Sequence, residues 1–266
     1  MKHTKNVGKR SIYFYRFSFE NKLNIKDEFK IFVKENVLSI PNHDDGEEYS
    51  LSGFLINVLT HQPLIEEFSS HLEVEYGTER KFEVIRLNGE REIYHIPRRT
   101  KIILDLTDYI IAIYTSSANV ANDLFEKLLN DFAEPRKINL RKIEYVSDFL
   151  HWLTNNAVSL SDKIEKMEKV KVEKGDEIGV ISHEDDILLA SLYKIVDEWK
   201  LFEYIEGKIS FKNKQDIKQY ATFRVYEHGK MTITHDEPYK IAKLLYNELS
   251  LLYENHINNN QDVSTV

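Results

Sequence analysis

The chain has no cysteine among its 266 residues, which excludes disulfides, thiolate nucleophiles and every cysteine-based zinc site. That absence fits a reducing compartment. Glycine is scarce as well, with nine residues, so the close backbone approach that nucleotide cradles demand has few places to occur. No Gly-rich phosphate loop, dinucleotide fingerprint, His-Glu-x-x-His or Gly-x-Ser-x-Gly run is present, and an ATPase or a dehydrogenase is disfavoured. No cofactor is expected on these grounds. No apolar stretch is long enough to span a bilayer, and Met1 to Arg10 is polar and basic without an apolar core. A cytoplasmic protein without a membrane partner is therefore expected. A basic excess is missing too. Lys and Arg number 36 against 44 Asp and Glu, a net charge of −8, which argues against a long, sequence-independent phosphate-binding surface.

What is present is enough apolar material for a genuine core, 42% of the chain, arranged as an α+β pattern of mixed or antiparallel strands with flanking helices. A weak internal echo runs through it. Ile103, Leu104, Asp105 and Leu106, the turn pair Asp108-Tyr109, then Ile111, Ala112 and Ile113 recur 120 positions later. The second set is Phe223, Arg224, Val225 and Tyr226, the pair His228-Gly229, then Met231, Thr232 and Ile233. Each set reads as a β-hairpin. A helix follows each: Val120, Ala121, Leu124, Phe125, Leu128 and Phe132 correspond to Ile241, Ala242, Leu245, Tyr246, Leu249 and Tyr253 at an offset of 121. The echo is either an internal duplication of a β-hairpin-helix unit or two unrelated amphipathic units of like composition. A duplicated sheet ending each half in a long helix is similar in outline to the saddle of TATA-box-binding-protein-like folds, a likeness of element order alone.

Along the chain, residues 11–19 read as a first strand and Lys26 to Val37 as a helix with Phe29, Phe32, Val33 and Val37 on one face. Asn42 to Glu48 reads as a loop. Helical patterns are expected over Leu51 to Leu59 and from Pro63 to His71. Strands follow near 80–87, 91–96, 102–107 and 110–115, with Asn88-Gly89 the strongest turn signal. Ser116 or Ser117 is placed to cap a helix that Glu134-Pro135 ends. The second half carries a strand at 137–145, a short helix around Phe149, Leu150, Trp152 and Leu153, and a Lys/Glu-rich strand before Lys174-Gly175-Asp176. Leu188, Leu192, Ile195, Trp199 and Phe202 predict a helix stopped by Gly207. Strands near 208–212, 220–226 and 230–234 and a helix from 237 to 254 complete it. The expected organisation is an N-terminal lobe 1–134, a C-terminal lobe 135–255 sharing one sheet with it, and a disordered tail 256–266.

Two groups of acids are candidate metal ligands for a nuclease-like chemistry. One is His235, Asp236 and Glu237 at a strand-to-helix junction, and the other is Asp105 and Asp108 around the first hairpin turn. The competing explanation for the first group is helix capping, because Asp236 and Glu237 precede Pro238. No Glu-x-Lys follows Asp108 on the next strand, which a restriction-endonuclease-type site would require. His43-Asp44-Asp45 and His183-Glu184-Asp185-Asp186 read as a solvated loop and an acidic first helical turn. No catalytic or metal site is assigned.

Basic residues concentrate at Arg98, Arg99 and Lys101 and at Arg136, Arg141 and Lys142. These could meet nucleic-acid phosphates, or serve as the ordinary protection of strand edges. Fifteen tyrosines and fourteen phenylalanines suit a protein interface. The expectation is a non-catalytic binding or scaffold protein that forms a homo-oligomer or engages a protein partner. Its Lys, Asn, Ile and Glu usage resembles that of AT-rich bacteria, phages and mobile elements, which suggests an anti-phage defence or counter-defence component. The alternatives are a nucleic-acid-binding protein and a metal-dependent nuclease subunit.

Overall fold

The computed structural model describes residues 9–19, 24–38, 52–57, 59–87, 89–145, 147–174, 177–182, 201–213 and 215–263. The loop expected at Asn42–Glu48, the Gly175-Asp176 turn and the helix body from His183 to Trp199 lie outside these residues. The fold is α+β, and its registered strand pairs are antiparallel. Two compact units divide the chain. One is Phe14–Lys142; the other joins the chain before residue 14 to the chain from Ile143 onward. Strand β1 (Lys9–Phe19) contributes to both.

In the Phe14–Lys142 unit the elements are the later part of β1, α1 (Ile25–Glu35), β2 (Ser52–Phe54), β3 (Ile65–Glu67), β4 (His71–Ile85), β5 (Arg91–Asp105), β6 (Ile110–Tyr114), α2 (Ala118–Lys127) and β7 (Ile138–Lys142). Strand neighbours run β2-β4-β5-β6-β1, with β3 on β4 and β7 on β1. Helix α1 forms because Ile25, Phe29, Phe32 and Val33 repeat at helical spacing and are buried. Asn24 caps it by accepting the Asp27 N–H. Its phenylalanines meet Phe54 and Phe132 with centroids 5.2 to 6.5 Å apart, mostly edge to face, the geometry aromatic quadrupoles favour. Ser117 caps α2 through the Val120 N–H. The helix passes into a π-turn at Leu128–Ala133 and a 3-10 turn at Glu134–Arg136, and Lys137 leaves in the left-handed region.

The other unit holds the first part of β1 with α3 (Ser147–Leu160), β8 (Ile164–Lys174), β9 (Glu177–Ser182), β10 (Leu201–Lys212), β11 (Lys218–Tyr226), β12 (Lys230–Thr234) and α4 (Pro238–Val263). Its strand order is β1-β12-β11-β10-β8-β9. Alternation along the strands buries Ile205, Ile209, Phe223, Val225, Met231 and Ile233, and the helices bury Phe149, Leu153, Ile241, Leu245 and Leu249. The β11–β12 turn needs a glycine. Gly229 has φ +76, and a Cβ there would lie 1.7 Å from the Ile143 carbonyl oxygen.

Three expectations are corrected. The two helices expected between Leu51 and His71 are short strands. Phe54 accepts from the Leu38 N–H and donates to the Asn36 carbonyl, Leu55 donates to Glu75, and Pro63 sits in an antiparallel bridge with Ile56. Sheet-edge hydrogen bonds thus outweigh a short apolar pattern that suits either structure. Residues 201–206 are strand, and Gly207 lies inside it opposite Phe223 rather than ending a helix. The tail beyond His256 continues α4 to Val263. At its start His256 meets the rings of Phe149 and Trp152 at 5.8 and 5.1 Å, and Tyr253 packs edge-on to Phe149 at 4.9 Å, so contacts with α3 fix α4 as far as His256.

Candidate functional site

Asp105 ends β5 and is buried. Its Oδ1 accepts the backbone N–H of Thr107 at 2.8 Å and of Asp108 at 3.3 Å. A carboxylate used this way shapes the β5–β6 turn, in which Tyr109 takes φ +55. His235, Asp236 and Glu237 fill the turn before α4. The His235 Nδ1 accepts the Glu237 N–H at 3.0 Å, the His235 ring stands edge-on to Phe211 at 4.9 Å, and the exposed Glu237 carboxylate faces Lys240 at 3.3 Å. Asp236 is exposed. Asp105 and Asp108 belong to one unit and the other three residues to the other. Among the described residues no three His, Asp or Glu side chains gather as a metal site.

The basic candidates separate by strand alternation. Arg99 and Lys101 point to one face of β5, where they pair with Glu75 at 3.5 Å and Glu73 at 2.5 Å. Arg98 points to the opposite face. Arg136 is half-buried, binds Glu28 at 2.7 Å and lies over the Phe132 ring. Lys142 reaches Asn122 and covers Phe125. Among the described residues Arg141 bonds a neighbouring amide, Asn139, and its cross-strand partner is Arg16, also exposed. Like charges directly opposite one another are unfavourable, and among the described residues no carboxylate relieves this pair.

The longest feature of the Phe14–Lys142 unit is the β4–β5 hairpin. Strand β2 leaves β4 at Thr78 and β6 leaves β5 at Lys101. Beyond Thr78↔Arg98 the two strands continue as a ribbon from Glu79↔Pro97 to Ile85↔Arg91, about 24 Å of paired chain at ~3.4 Å per residue. No third strand pairs with it among the described residues. Its end carries Val84, Ile85 and Leu87, all exposed, Leu87 completely. A two-stranded ribbon alone is marginal in water, and open edges beside apolar side chains invite another chain.

Two features in the other unit were not singled out by sequence reasoning. On one sheet face Arg224 lies over the Tyr204 ring at 4.7 Å and pairs with Glu206, and Lys230 lies over Tyr226 at 4.7 Å. Burial opposes the Arg224 charge and is the largest single influence, but the hydrogen bond and charge of Glu206 together with Tyr226 and Tyr204 outweigh it, and its pKa is raised. Burial likewise raises the Tyr13 phenol beside Tyr226. A cavity of about 650 Å³ has a floor including Phe211, Ile241 and Leu244 and is lined by Lys163, Lys212, Lys218, Lys240 and Lys243. Lys163 pairs with Glu248, Lys212 with Asp216 and Lys218 with Glu165. Lysines spread from 163 to 243 meet only through the fold, so spacing carries no trace of them.

The chain matches no protein-family model, and no curated protein resembles it closely enough to count as a relative. No helix among the described residues is long and apolar enough to cross a membrane.

Proposed function

We propose that the protein is a non-catalytic assembly protein whose copies associate through the β4–β5 ribbon. The observation that carries this is the ribbon with its exposed Val84, Ile85 and Leu87. A second copy is the occupant that fits an open strand edge. Pairing about a two-fold axis brings the same edge and the same apolar tip of each copy together, satisfying both at once. Pro97 removes a donor from β5 at the ribbon base, so the outer edge of β4 is the edge with its donors intact. Such a component suits the prokaryotic or phage setting that composition suggests. Light scattering during size-exclusion chromatography tests the reading. The wild type is expected at a multiple of 31.4 kDa, and the double variant Ile85→Asp/Leu87→Asp at the single-chain mass with an unchanged circular dichroism spectrum. A wild type that stays at the single-chain mass, or a variant that keeps the multiple, removes it.

Nucleic-acid binding is the second reading, favoured by the opposed Arg16 and Arg141. It requires binding that weakens steeply with salt and with Arg141→Gln.

A further inference from the structure

Between the sheet of the Phe14–Lys142 unit and α2 lies a polar cavity of about 530 Å³, within the range of small-ligand sites, about 300–1,000 Å³. Strand pairing assembles one wall. Ser52 is the register partner of Thr78, Thr78 of Arg98, and Tyr76 of Thr100, which puts Ser52, Tyr76, Thr78 and Arg98 around one opening. The opposite wall is one face of α2, where Asn119, Asp123 and Lys127 repeat at helical spacing.

The charges in this cavity differ from those around it. Arg99 and Lys101, on the other face of β5, are each paired with a glutamate. Lys127 is held by Asp131 at 3.0 Å. Among the described residues neither Arg98 nor Asp123 has such a partner, so one guanidinium and one carboxylate line the cavity unneutralised. A guanidinium presents a planar fork that matches two oxygens of a phosphate. The start of α2 adds first-turn N–H groups and the positive end of the helix dipole, with the Ser117 hydroxyl already committed to Val120. Ser52 and Thr78 supply neutral hydroxyl donors. Asp123 repels a bare dianion and accepts hydroxyl hydrogens, so it suits the other end of a ligand that carries a phosphate and free hydroxyls together.

We propose that this cavity binds the phosphate monoester of a small hydroxylated molecule, either a sugar phosphate or a nucleoside monophosphate. The cavity adjoins the base of the ribbon, where Thr78 pairs with Arg98, and the proposal rests on the cavity's own lining rather than on the association of copies.

Calorimetric titration of the full chain tests it, with ribose 5-phosphate, adenosine 5′-monophosphate, inorganic phosphate and ribose as probes. Saturable binding of at least one monoester is expected, with Kd below about 1 mM, and weaker binding of inorganic phosphate and ribose. A preference for the nucleotide or for the sugar phosphate says which source the site takes. Arg98→Gln is expected to weaken the monoester at least about tenfold, while Arg99→Gln, on the other face, leaves it unchanged. Asp123→Asn is expected to narrow the preference for the monoester over inorganic phosphate. Thermal melting of each variant separates lost binding from lost folding. The proposal is overturned if neither monoester binds saturably, or if a folded Arg98→Gln protein binds as the wild type does. It is also overturned if a short single-stranded oligonucleotide binds more tightly than either monoester and is weakened equally by Arg98→Gln and Arg99→Gln, because Arg98 would then belong to a nucleic-acid surface.

Discussion

At the scale of single residues, acids that look like ligands in the sequence are engaged locally in the fold. Asp105 accepts two backbone N–H groups while buried, and truncating it strands those donors. Asp105→Ala is therefore expected to cost about 1–3 kcal/mol, read from urea unfolding, and Asp105→Asn, which keeps an acceptor oxygen, distinctly less. Equal losses in the two variants would show that the charge, not the hydrogen bonds, holds the turn. Residue type alone does not separate a turn-forming aspartate from a metal-binding one; the difference lies in which backbone N–H groups lie within reach. Arg98 is the converse case. Its type was legible as a phosphate-binding candidate, but its separation from Arg99 and Lys101 follows from strand alternation, and its place around one cavity with Asp123 and Ser52 follows from register and from the placement of α2. Most phenylalanines lie in the core, so the aromatic richness of the chain is chiefly a matter of packing.

At the scale of elements, long periodic segments were legible and short ones were not. β1, α1, α2 with its Ser117 cap and α4 follow from periodicity and capping, whereas the long hairpin was legible only in pieces: the strands expected at 91–96 and 102–107 are one strand, Arg91–Asp105, and the strand expected from residue 80 begins at His71. The stretch from Leu51 to His71 did not, since a few apolar residues satisfy a helical or an extended pattern equally and the open side of β4 decides between them. The echo also changes in detail. Leu104 pairs with Ile111 and Val225 with Met231, so the strand entering each hairpin is offset by 225 − 104 = 121, whereas the strand leaving it is offset by 231 − 111 = 120. The packing of α1 against β3 is electrostatic at its margin. Glu67 receives Lys26 and Lys30, each at 2.5 Å, and these hydrogen bonds hold its carboxyl well below the usual 4.5, at about 2. A carboxyl lowered in the folded state adds stability that is complete above its unfolded value and fades as pH falls toward the folded one. The attachment of α1 to β3 is thus expected to loosen between about pH 4.5 and about pH 2. A carboxyl-detected NMR titration of Glu67 checks this. The double variant Lys26→Met/Lys30→Met should return the midpoint to the ordinary glutamate range; a midpoint already there in the wild type would discount both bridges.

At the scale of the whole molecule, β1 carries residues of both units and is expected to couple their unfolding. Lys9–Tyr13 registers with β12 in one unit, and Tyr15–Phe19 registers with β7 in the other. Both parts are substantially buried: Ile12, Tyr13, Phe14, Tyr15 and Phe17 are each no more than 6% exposed. Losing either unit takes one end of β1 out of its hydrogen-bonded register, and among the described residues no other strand pairs with the backbone groups freed there. Unfolding should accordingly be one cooperative transition. Fluorescence of Trp152, read in a Trp199→Phe background, offers a direct test, because Trp152 packs beside Phe149 in the unit that begins again at Ile143. Phe29 is fully buried in the other unit, among Phe32, Phe54 and Phe132. Phe29→Ala is expected to cost about 3–5 kcal/mol through lost contacts and the cavity left behind. If β1 couples the units, that loss lowers the urea midpoint read by tryptophan fluorescence as much as the midpoint read by far-ultraviolet circular dichroism. If the fluorescence midpoint stays where it is in the wild type while the dichroism curve splits in two, the units unfold separately, and the shared strand holds them together in sequence without coupling them in energy.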